Sequence, residues 1–152
     1  GAVSDMPAFY RSIDVLLHPA LQEPLGNVTI EAQAFGVPVV ATCVDGMAET
    51  IQTGETGTLV VAGQPYETYR HWGGTPSTMQ STQVYDPQRD CLRPAAFAHP
   101  RALADAVAAI VADEPCQARL STAARARAKR VFSFERHVSD FIETIELFVP
   151  TA

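Results

Sequence analysis

The sequence predicts an α/β fold built on an open, parallel sheet, and three observations carry that prediction. Short, continuously apolar runs alternate with helix signals between residues 13 and 61. The segments joining them are short, as in right-handed crossovers between parallel strands. Apolar residues make up 47% of the chain against 18% charged, a balance that collapses into a globule.

The elements follow in order. Ser4 is placed to cap a first helix over 5–12, with Pro7 in its opening turn. The apolar run 13–18 ends at Pro19 and reads as a buried strand, and 20–26, with Pro24 and Gly26, reads as a loop. Asn27 is a good cap for a helix over 28–35, which Gly36 closes in the left-handed conformation. A second strand over 37–42 tolerates Pro38 at its start. Gly46 opens a brief helix over 47–52, Gly54 and Gly57 bracket a turn, and 58–61 form a third strand.

From 63 to 100 the periodicity is lost. Five prolines, three glycines and the aromatic residues Tyr66, Tyr69, Trp72 and Tyr85 fall there. The aromatic content favours an ordered excursion over disorder. Helical spacing returns at Pro100, with Leu103, Ala106, Val107, Ile110 and Val111 on one face up to Pro115. A second, Ala- and Arg-rich helix runs from about 116 to 130. Ser133 caps a third, on which Phe134, Val138, Phe141, Ile142, Ile145 and Phe148 recur. At 152 residues the chain is expected to be one domain, 1–152, with an irregular excursion over 63–100 and a helical part over 100–149.

Charge and cysteine use narrow the function classes. The net charge of -6 argues against nucleic acid as a partner. No apolar run approaches the ~20 residues of a membrane-spanning helix, and the start lacks the pattern of a secretory signal. Cys43, Cys91 and Cys116 are odd in number and far apart, and the four histidines are scattered. Neither a disulfide framework nor a metal site is indicated, and a reducing cytoplasm is the expected location.

Chemistry concentrates between Glu23 and Pro38. Glu23 lies on the loop leaving a strand, Gly26 and Asn27 begin a helix, and Glu31 follows within about a turn. Free backbone N–H groups at a helix start attract anions, and Gly26 lets a ligand approach the backbone. Carboxylates accept sugar hydroxyls well. A strand end meeting a helix start is also where open α/β sheets bind ligands.

Two glutamates with seven residues between them, followed by Ala32, Ala34, Gly36 and Pro38, resemble the signature of retaining, GT-B-fold glycosyltransferases of the group 1, or family 4, type. The likeness continues through 39–42, Gly46, Glu49 and 54–60, resumes at 103–107 and 132–134, and leaves out 64–95. It implies a Rossmann-like parallel sheet with flanking helices, the partial C-terminal half of a GT-B fold. It further implies that Glu23 sits near the transferred sugar and stabilises an oxocarbenium-like transition state. Gly26, Asn27 and Val28 would offer backbone contacts to the sugar or diphosphate, and Glu31 would bond the ribose hydroxyls. No cofactor or metal is implied, and the donor substrate would be an NDP-sugar. Further partners are a glycan or lipid-linked acceptor and an N-terminal acceptor domain, which would precede Gly1 and make this chain a fragment. His18-Pro19-Ala20 and Asp45 depart from the family's usual pattern, and Asp45 does so in a loop that contacts donor.

Blander readings stand beside these. His18 reads more readily as packing than as catalysis, and Cys43 as core. Glu49 divides evenly between a diphosphate contact and a helix-start charge. Arg119, Arg125, Arg127, Lys129 and Arg130 read as a solvated face, although a peripheral role at the inner membrane face would suit them. Two alternatives to a sugar-transferring enzyme remain open: a non-catalytic α/β module that pairs sheet edges in a homodimer, and a sugar-nucleotide epimerase of the same fold.

Overall fold

The computed structural model describes residues 3–65, 67, 68, 71 and 83–149. Tyr66, Tyr69 and Trp72 of the expected aromatic cluster lie outside them. Helix α1 (Met6–Arg11) leads into strand β1 (Leu16–His18), helix α2 (Asn27–Ala34), strand β2 (Val39–Cys43), helix α3 (Met47–Thr50) and strand β3 (Gly57–Pro65). This is the expected alternation, and β1–β2 and β2–β3 pair in parallel.

The excursion contains strands that the sequence pattern does not announce. Strands β4 (Gln83–Asp86) and β5 (Cys91–Pro94) form an antiparallel hairpin, and β6 (Ala96–Ala98) pairs antiparallel with β3. The main sheet therefore runs β1-β2-β3-β6, parallel except at β6. These strands have three or four residues each, too short for a period of two to stand out among prolines. Helices α4 (Pro100–Val111), α5 (Glu114–Val131) and α6 (Phe134–Glu146) complete the described chain.

Strand β2 is buried along its whole length, and its side chains alternate between two cores. Val39 and Ala41 join Tyr10, Ala32, Val44, Met47, Ile51 and Val84 on one side. Val40 joins Ala98, Leu103, Ile110 and Leu120 under α4 and α5 on the other. Burial on both faces explains why the strand expected over 37–42 is mostly apolar instead of alternating.

Local chemistry moves several boundaries. Asp5, not Ser4, caps α1, by accepting from the Ala8 amide at 2.9 Å. Asn27 is not the cap of α2 but its first residue; Gly26 takes the cap position at φ +82 without a side-chain bond. Gly36 closes the helix at φ +77, as expected. Pro115 sits in the first turn of α5, capped by Asp113, so it opens one helix rather than only ending another.

The arginines of α5 are not a purely solvated face. Arg119 donates to the Gly54 carbonyl at 2.8 Å, Arg125 to that of Phe35 at 2.8 Å and Arg127 to that of Glu49 at 2.6 Å. They fasten α5 to three turns of the first half, while Lys129 and Arg130 are exposed. No residue of α6 is buried; its apolar face, including Phe134, Phe141 and Ile142, is uncovered by the described residues.

Candidate functional site

Because β1 and β2 are parallel, the loops leaving them rise from the same edge of the sheet. The first loop carries Glu23 from the end of β1 to the start of α2, and the second carries Asp45 and Gly46 from β2 to α3. These loops pack on each other closely. A Cβ on Gly46 would collide with the Pro24 carbonyl, and one on Gly26 would lie 2.8 Å from Met47 Sδ. Gly26 also needs its positive φ, so only glycine fits there without strain.

Glu23 is held on three sides. Its Oε1 accepts from the Gly26 amide at 3.0 Å, and His18 Nε2 lies 3.3 Å from its Oε2. Its own amide donates to Asp45 Oδ2 at 3.1 Å. Both side chains of the His18–Glu23 pair remain about a quarter exposed, so the carboxylate is positioned yet reachable. His18 thus faces the site instead of serving only as packing.

Asp45, which departs from the family pattern, turns out to be a structural joint. Besides the Glu23 amide, it accepts from the Tyr85 amide through Oδ1 at 2.7 Å, and its own amide donates to the Tyr85 carbonyl at 2.9 Å. Its φ of +46 is one that Asp tolerates better than most residues. The β4–β5 hairpin is thereby fixed to the rim of the site, bringing Tyr85 to it.

The start of α2 rests on a buried polar layer. The Thr29 hydroxyl donates to the Gly26 carbonyl at 2.7 Å and lies 3.1 Å from the Thr50 hydroxyl. Gln33 Nε2 donates to the carbonyls of Thr29 and Thr50 at 3.1 and 3.0 Å. All three side chains are fully buried, locking α2 to α3. Above this layer, the amides of Asn27 and Val28 open the helix, with no intrahelical acceptor available to them. The Gly26 amide is already taken by Glu23, so the amides of the exposed Asn27 and half-buried Val28 are the helix-start donors left over for a ligand.

Glu31 projects from the same helix into solvent, but its Oε2 accepts from the Tyr10 hydroxyl at 2.9 Å. Burial, then the bond to Glu31 and its charge, push the Tyr10 phenol up to about 12, so it is a donor at neutral pH. Glu49 is exposed in the first turn of α3. Among the described residues, no three His, Cys, Asp or Glu side chains gather to hold a metal ion. No described helix is long and apolar enough to cross a membrane. A cavity of ≈ 390 Å³ at the opposite edge of the sheet, lined in part by Tyr10, Arg11, Asp14, Phe35 and Arg125, includes neither Glu23 nor Glu31.

The structure therefore brings Glu23, Gly26, Asn27 and Val28 together at one rim, with Glu31 farther along α2. Neither the site role of Tyr10 nor the jointing role of Asp45 shows in the local sequence pattern. Tyr10 is a helix residue 21 positions from its partner, so no local spacing could have signalled it.

Comparisons with known proteins agree with this architecture. Residues 1–71 match the family model described as glycosyl transferases group 1. Over 61 residues the chain is 48% identical to the capsular polysaccharide biosynthesis glycosyltransferase CapM of Staphylococcus aureus, a match covering 40% of this chain and 16% of CapM. Sucrose-phosphate synthase (tll1590) from Thermosynechococcus elongatus superposes with a TM-score of 0.62 at 26% identity, covering 93% of this chain and 27% of that one. Anabaena Alr3699/HepE, solved in complex with UDP and glucose, superposes at 0.68 with 22% identity, over 96% of this chain and 30% of its own. The matched stretches cover no more than 30% of the length of any of these three proteins. Over its first 71 residues the chain is similar to the group 1 glycosyl transferases, and it shares a GT-B-type α/β fold with solved members of that kind.

Proposed function

We propose that this chain is the donor-binding part of a retaining glycosyltransferase that transfers a sugar from an NDP-sugar to a glycan, lipid or other acceptor. The observation that carries the reading is the rim itself. Glu23, fixed by the Gly26 amide and by Asp45, stands beside the two amides that open α2, and Glu31 lies on the same helix. A helix start favours the negative diphosphate through its N–H groups and dipole. In this reading Asn27 and Val28 meet the diphosphate or the sugar hydroxyls, and Glu31 accepts the ribose hydroxyls. Glu23 faces the sugar, where its charge stabilises the positive character that develops at the anomeric carbon. The acceptor is bound by an N-terminal domain outside this chain. UDP and glucose in the HepE complex are consistent with such a ligand. Three free thiols suit action in a reducing cytoplasm.

Calorimetric titration with UDP, GDP and ADP tests the reading. One of the three binds, and Glu31→Ala weakens it by about 1.5–3 kcal/mol, the range for a hydrogen bond to a charged group. Affinity that survives the substitution unchanged removes Glu31 from the site.

A further inference from the structure

We propose that Tyr10 is a positioning residue for nucleotide recognition: its hydroxyl holds Glu31 in the one orientation that accepts a ribose hydroxyl, so the pair sets the preference for ribose over deoxyribose. This inference rests on the donor-site reading above and adds a second residue, from a different element, to it. The two side chains differ sharply in freedom. Glu31 is an exposed, long side chain on α2, which on its own would sample several rotamers. Tyr10, on α1, is 1% exposed and fixed by packing. Its ring stacks on Phe35 with centroids 5.5 Å apart and meets Phe9 edge-on at 5.3 Å. The Arg11 guanidinium covers Phe35 at 5.2 Å from the ring centroid.

The hydroxyl of this anchored ring emerges against α2. It donates to Glu31 Oε2 at 2.9 Å and has the Val28 carbonyl at 3.4 Å as a second acceptor. One carboxylate oxygen is thus tied to the core. Among the described residues Oε1 accepts no hydrogen bond, which leaves its lone pairs for a ligand. Holding a flexible side chain in its bound geometry before the ligand arrives lowers the ordering cost of binding. The buried phenol keeps its proton far above neutral pH, so the clamp persists across the physiological range.

The test titrates the chain with UDP, GDP and ADP and with their 2′-deoxyribose counterparts, in wild type, Tyr10→Phe, Glu31→Ala and the double variant. Wild type prefers the ribose form of its nucleotide by about tenfold. Tyr10→Phe, which keeps the stacked ring, reduces that ratio by about threefold or more, and adds nothing once Glu31 is alanine. A ratio unchanged in Tyr10→Phe, with Glu31→Ala still abolishing it, overturns the role of Tyr10 and leaves the donor site standing. If no nucleotide binds, or Glu31→Ala changes nothing, the donor-site reading fails and this inference fails with it. If Tyr10→Phe does not fold, Glu31→Asp replaces it. The shortened surface carboxylate is drawn away from the Tyr10 hydroxyl and lowers the ratio similarly; a wild-type ratio in Glu31→Asp overturns the proposal.

Discussion

The carboxylate of Asp45 accepts the backbone amide of Glu23 at 3.1 Å, which makes a β2–α3 loop residue the anchor of a β1–α2 loop residue. Its other oxygen binds the Tyr85 amide at 2.7 Å, so the same side chain ties the β4–β5 hairpin to the rim. Two loops and an excursion are coupled through one carboxylate.

Removal of that carboxylate should therefore be felt at all three places. Asp45→Ala deletes two acceptors and puts a less tolerant residue at φ +46. A loss of about 2–4 kcal/mol is expected, combining charge-assisted bonds with left-handed strain. Asp45→Asn keeps one acceptor oxygen and the tolerance for positive φ, and should lose roughly half as much. Urea unfolding of the two variants checks the ranking, and an undiminished stability in both would show that the bonds to Glu23 and Tyr85 do not stabilise the fold.

Gly26 is the second sensitive joint. Gly26→Ala imposes a Cβ at φ +82, worth about 1–2 kcal/mol of strain, and pushes it against Met47 Sδ. Relief of either conflict moves the Gly26 amide that holds Glu23 Oε1. Thermal unfolding should record the stability loss, and calorimetry with the bound nucleoside diphosphate a weaker affinity. Wild-type values in both would mean the loop has more room than its packing indicates.

The sheet and the glutamate-bearing loop were legible because both are written locally. Val39 to Cys43 shows as a mostly apolar run since both faces of β2 are covered, and Glu23, Gly26 and Glu31 lie within one loop–helix unit. What stayed hidden is non-local. Asp45 and Tyr85 are 40 positions apart, and Tyr10 and Glu31 are 21 apart. Asn27 misleads as a cap because the Thr29 hydroxyl and the left-handed Gly26 organise the helix start instead. The pairing of β6 with β3 depends on where the excursion returns, which no periodicity of Ala96 to Ala98 encodes.

Asp86 governs the hairpin in acid. Burial alone would raise its carboxyl, but the Arg93 guanidinium at 2.8 Å and the amides of Gln88 and Arg89 outweigh burial and hold it below the ordinary range. A depressed folded value means stability present above about pH 4 and lost as pH falls through the folded value. Asp86→Asn should remove that acid dependence, leaving the unfolding midpoint flatter between neutral and acidic pH. An unaltered acid limb would assign the effect to other carboxylates.

Tyr10 governs the alkaline limb with the opposite sign. Its phenol ionises near 10 in an unfolded chain, whereas burial, followed by the bond to Glu31 and its charge, raises it to about 12 in the fold. Between those values the unfolded chain loses the proton first, so the native state is destabilised progressively as pH rises. The contribution is intact below pH 10 and gone by about 12. Tyr10→Phe removes the titrating group while keeping the ring on Phe35, and should flatten the alkaline fall in stability. Phenolate absorbance followed against pH, beside urea midpoints for the two chains, checks both halves of the argument. A wild-type alkaline limb retained in Tyr10→Phe would place its origin in another tyrosine.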